Sequence, residues 1–169
     1  MNATLAAFNQ ADEAAALEAM LACCGSKRWA RAMAALRPFA GVEELSKAAD
    51  RIWSAMEEAD WLEAFACHPR IGERKAAHAG SQSAAWSGRE QSSTETAAER
   101  VLAELAAGNI LYEQRFGFTY IVCATGKSAE EMLAILNRRL AGDRASELRE
   151  AAGQQRQITQ IRLGKWLIE

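Results

Sequence analysis

The chain has 169 residues, half of them apolar and a quarter charged, with two histidines, two prolines and a net charge of -2. That length buries a core without disulfide or metal staples, and the composition excludes a disordered or fibrous chain. The balance of charge lacks the basic surplus of a nucleic-acid binder, and no apolar run approaches the span of a bilayer.

Alanine and leucine are abundant and proline is confined to Pro38 and Pro69, which favours helix nearly everywhere. The opening, MNATLAAFNQADEAAALEAML, carries Asp12, Glu13 and Glu18 and no basic cluster, unlike a secretory signal or transit peptide. Short helices are expected over 11–23 and 27–36. Val42, Leu45, Ala49, Ile52, Trp53 and Met56 recur at helical spacing and define one buried stripe. A further short helix, 58–66, must stop before His68-Pro69, because a residue preceding proline is pushed out of helical geometry.

Residues 75–90, KAAHAGSQSAAWSGRE, read as a loop, and His78 within it as solvated. A long helix should follow from about Gln91 to Tyr112, with Gly108-Asn109 as the place where it would break. RFGFTYIVCAT, 115–125, alternates Phe116, Phe118, Tyr120 and Val122, which predicts an extended segment in an otherwise helical protein. Without a strand partner its amides need other acceptors, and a ligand is one. Ser128, with Glu131 three residues on, predicts a capping box opening a helix that runs through Leu136 to Leu140. Ile158, Ile161, Leu163, Trp166 and Leu167 predict a final helix, and the last residues, KWLIE, are not a peroxisomal address.

The expectation is an all-α, single-domain helical bundle of about eight helices, covering 1–169, with one extended segment near 116–124. The cytoplasm is the expected location. Cys23, Cys24, Cys67 and Cys123 show no CxxC spacing and read as buried small hydrophobes in a reducing compartment. No metal site is expected, since Cys67, His68 and His78 lack further ligands at convincing spacing.

Three places carry candidate chemistry. His68 has backbone freedom restricted by Pro69 and an imidazole suited to acid–base work; capping the preceding helix is the alternative. Ser87, Gly88, Arg89, Glu90 and Gln91 offer amides, a hydroxyl, a carboxylate and an amide side chain at a helix start. The same residues would serve as a capping box or as a site for a small polar ring. Arg162 lies between apolar neighbours and needs a carboxylate, either internal or on a ligand.

HPRIG at 68–72, SGREQ at 87–91, RFGFTYIVCATG at 115–126, IRL at 161–163 and RPF at 37–39 together resemble one family, in its order. It is the decarboxylase of 2-oxo-4-hydroxy-4-carboxy-5-ureidoimidazoline (OHCU), which acts in urate degradation. The resemblance implies an all-helical homodimer, no cofactor and the product (S)-allantoin. It implies His68 as proton donor with Glu90 beside it, and Pro69 against the substrate. Ser87 to Gln91 would bind substrate, the amides of Tyr120, Ile121, Val122, Cys123 and Ala124 would hold the ring, and Arg162 would receive a substrate charge. Thr119 stands where the family commonly has proline. A binding module without catalysis and a phosphate-ester enzyme using Arg70, Arg74 and Lys75 are the rival classes, the second without any P-loop or GxGxxG. Trp29 or Trp53, if exposed, would be candidates for the dimer surface.

Overall fold

The computed structural model describes residues 1–71 and 92–169, with residues 92–96 described by their backbone alone. Among the described residues are eight helices: α1 (Ala3–Gln10), α2 (Glu13–Cys23), α3 (Lys27–Ala35), α4 (Val42–Ser54), α5 (Glu58–Ala66), α6 (Ser92–Phe116), α7 (Ala129–Leu140) and α8 (Arg144–Trp166). They include no strand, so the all-α expectation holds. Two compact units divide the chain, Met1–Cys67 with Ala152–Glu169 and His68–Ala151.

In the first unit short polar side chains start the helices. Asn2, Asp12 and Ser26 accept from the amides of Leu5, Ala15 and Trp29, filling donors that the first turn leaves unused. Leu5, Met20, Met33, Leu45 and Phe65 are wholly buried, each contributing about 1.5–3 kcal/mol. Trp29 and Trp53 are core residues, not dimer-surface candidates, because their indole N–H groups donate to the Ala49 and Ala152 carbonyls at 3.1 and 2.9 Å. RPF is structural here. Arg37 donates to the Phe8, Ala11 and Ala34 carbonyls near the ends of α1 and α3, and Asn9 brackets the Phe39 backbone on both sides. Cys67 corrects the expectation of four buried thiols: it caps α5 and is exposed, while the other three are buried.

In the second unit α7 lies along α6. The break expected at Gly108-Asn109 does not occur. Gly108 has no side chain, so Leu136 of α7 comes within 2.5 Å of where a Cβ would stand, and Asn109 donates to Leu105 O inside the helix. Close helix contact thus uses a residue that reads as a stop signal. Phe116 closes α6, and Gly117 (φ +83°) turns the chain out of it. Gly126 (φ +77°) turns it again before Ser128 caps α7. Between these two glycines the chain runs without regular structure from Phe118 to Ala124, where the period-two pattern predicts an extended segment from about 116; Phe116 itself is still helical. Ser128 accepts from the Glu131 amide at 3.1 Å, and its hydroxyl donates to Glu131 Oε1 at 3.3 Å.

Candidate functional site

α5 ends at Ala66 and delivers His68, half-buried, and Pro69, exposed, just past its C-terminus. The next residues fasten this segment to α6. Arg70 grips Glu113 with two parallel bonds, Nε to Oε1 at 2.6 Å and Nη2 to Oε2 at 2.8 Å. Asn109 Nδ2 reaches the Ile71 carbonyl at 3.4 Å. The Arg70 guanidinium holds the Glu113 carboxyl below its ordinary range, and the Thr119 hydroxyl helps.

The segment 120–123 is buried at every position, which is costly for an unpaired backbone. Two of its carbonyls, those of Ile121 and Cys123, are engaged, and so is that of Ala124 just beyond it. Arg139 Nη1 donates to Ile121 O at 2.5 Å, Lys127 Nζ to Cys123 O at 2.8 Å, and the Lys127 amide to Ala124 O at 3.0 Å. The amides of Ile121 and Val122 have no protein acceptor among the described residues. Tyr120 is anchored by its hydroxyl, which donates to Met132 O at 3.0 Å, and by its ring, 5.4 Å from that of Tyr112. Burial raises the Tyr120 hydroxyl to about 12 despite Arg139 nearby, so it stays protonated.

Beneath the segment lies a group that sequence reasoning missed. Arg139 and Glu147 are both buried and paired at 2.7 Å, and Tyr112 donates its hydroxyl to the same Glu147 oxygen at 2.8 Å. The available signal was Arg139 itself, a cation three residues after Leu136 on the apolar face of α7.

Arg162 belongs to the first unit and is half-buried on α8. Its charge draws down the thiols of Cys23 and Cys24, though burial outweighs it and both rise to about 11. It makes no ion pair among the described residues, so the internal salt bridge considered from sequence is not found there. Ser87, Gly88, Arg89, Glu90 and Gln91, like His78, lie outside the described residues. His68, Pro69 and Tyr120 to Ala124 thus belong to one unit, the first two followed by residues fastened to α6 and the others held by Met132 and Arg139 of α7 and by Lys127, while Arg162 belongs to the other unit.

A family profile described as OHCU decarboxylase matches residues 9–164. The chain is 38% identical over 144 residues to the uric acid degradation bifunctional protein TTL of Arabidopsis thaliana, covering 85% of this chain and 44% of that protein. It is 28% identical to the uric acid degradation bifunctional protein PucL of Bacillus subtilis, covering 98% and 33%. It thus spans less than half the length of either relative. A crystal structure of an OHCU decarboxylase in the presence of (S)-allantoin is similar at 33% identity and a TM-score of 0.71, covering 88% of this chain and 96% of that one.

Proposed function

The chain belongs to the OHCU decarboxylase family, and from that membership we propose that it converts OHCU to (S)-allantoin and carbon dioxide in urate degradation. The substrate carries a carboxylate and a hydroxyl on one ring carbon and an imine on the next. When the carboxylate leaves as carbon dioxide, its bonding pair moves into the imine and an enol forms. The enol hydroxyl then loses its proton and becomes a carbonyl, while the ureido-bearing carbon gains a proton on one face. Atoms and charge balance with one proton taken up, and no oxidant enters.

His68 is the donor of that stereospecific proton in this reading, with Glu90 keeping the imidazole oriented. Pro69 and Ser87 to Gln91 line the ring, and Arg162 receives a substrate charge. The observation that carries the reading is the buried run 120–123, whose Ile121 and Val122 amides find no acceptor among the described residues. Donors of this kind suit an oxygen or nitrogen that gains charge as the carbon–carbon bond breaks, and one well-placed donor is typically worth about 3 kcal/mol. A guanidinium without an ion pair among the described residues supports the same reading, because an anionic substrate would supply the missing carboxylate.

The reading extends to one domain over 1–169, a homodimer and a cytoplasmic location; among the described residues no helix is long and apolar enough to cross a membrane. Light scattering at micromolar concentration tests the homodimer. Turnover of freshly generated OHCU by the chain and by His68→Asn tests the chemistry. The variant should stay folded and lose about 10²–10⁴ in rate, the usual contribution of a positioned acid or base. Equal rates for the two would remove His68 from the mechanism.

A further inference from the structure

We propose that Arg139 is a positioning residue that holds the Ile121–Val122 peptide and makes the Val122 N–H a fixed, polarised donor toward the substrate. The inference rests on the decarboxylase reading and adds to it a residue that does not itself touch substrate.

Arg139 is 2% exposed, and each face of its guanidinium is committed. Nε pairs with Glu147 at 2.7 Å, Nη2 meets the Tyr112 hydroxyl at 3.2 Å, and Nη1 reaches the Ile121 carbonyl at 2.5 Å. The charge also lies over two aromatic faces, 5.0 Å from the Tyr120 ring and 5.6 Å from that of Tyr112. Glu147 is fixed in turn, accepting from Tyr112 as well. Gly142 leaves room for it, since a Cβ there would stand 3.3 Å from Glu147 Oε2.

A buried ion pair is an inefficient way to stabilise a fold, because apolar residues of similar volume often serve as well or better. What an apolar residue cannot do is grip a carbonyl. A trans peptide points its C=O and N–H in opposite directions. Holding Ile121 O on the Arg139 side therefore presents the Val122 N–H on the other side, where no described residue accepts it. A cation bonded to the oxygen also draws electron density from the amide and strengthens its N–H as a donor. The donor gains most when the acceptor is charged, so the benefit falls on the decarboxylation step more than on binding.

The test is the double variant Arg139→Met with Glu147→Gln, which removes both charges together and leaves Tyr112 a partner. Its fold is checked by circular dichroism, its turnover on OHCU is measured, and the Val122 amide is followed by ¹H–¹⁵N spectroscopy during titration with (S)-allantoin. The expected result is kcat lower by at least about tenfold, a fraction of the loss seen when a whole oxyanion-hole donor is removed, with KM changed less than about threefold. The Val122 amide proton should move downfield with ligand in the wild type and far less in the variant. If the variant does not fold, the wild-type titration decides, and a silent Val122 amide overturns the proposal. A folded variant with wild-type kcat also overturns it while leaving the decarboxylase reading intact. A wild-type chain without turnover overturns both.

Discussion

Arg162 and the cysteines show how much a single residue's surroundings determine. A half-buried guanidinium with no ion pair among the described residues contributes little to stability, so Arg162→Gln should melt within a few degrees of wild type. Its KM for OHCU should rise roughly 10- to 100-fold, the value of a hydrogen bond to a charged group at about 1.5–3 kcal/mol. Steady-state kinetics beside a melting curve checks the split, and a large loss of stability with unchanged KM would make Arg162 structural. Cys67 is exposed, whereas Cys23 and Cys24 are buried with thiols raised to about 11. A thiol reagent at neutral pH should therefore titrate Cys67 rapidly and the other cysteines only on unfolding. His68-Pro69 was visible in the sequence because proline restricts its neighbour whatever the tertiary context. Arg139 was not, because a cation on a helix face reads as solvated until packing shows Glu147 and a carbonyl waiting for it.

At the level of elements, the segment carrying His68 is held to α6 by Arg70 and Glu113. Glu113 has its carboxyl lowered from an ordinary value near 4.5. A lowered carboxylate stabilises the fold fully above its unfolded pKa, and the contribution drains as pH falls through the folded value. The stability difference between wild type and Glu113→Gln should thus be constant above about pH 5 and vanish in stronger acid, as denaturant midpoints across pH would reveal. Because the pair is partly exposed, the difference should be at most about 1 kcal/mol, while turnover falls severalfold through the looser His68 segment. A second contact joins the start of α3 to the end of α5: a Cβ on Gly25 would collide with Cys67 Sγ and stand 2.9 Å from its Cβ. Gly25→Ala should cost about 1–3 kcal/mol by overpacking, and Cys67→Ala should recover part of it in a denaturant titration. Periodicity found the amphipathic α4 and α7 with close bounds, since their apolar stripes repeat the helical period. It failed at Gly108-Asn109, where contact with Leu136 overrides the propensity of the pair, and it missed α1, eight residues long and capped by Asn2.

Across the whole molecule, the family profile runs from residue 9 to residue 164, so it takes in residues of both compact units. The distribution of motifs agrees: RPF and Arg162 lie in one unit, HPRI and the extended segment in the other. Period two in a helical chain was legible because it departs from its surroundings, but which groups hold the segment, Arg139 on the Ile121 carbonyl and Lys127 on that of Cys123, required coordinates. The most direct test of the central claim is the circular dichroism of allantoin formed from freshly generated OHCU. With the chain present, allantoin should appear faster than by spontaneous decay and with the S enantiomer in excess. Racemic product at the spontaneous rate would contradict the account.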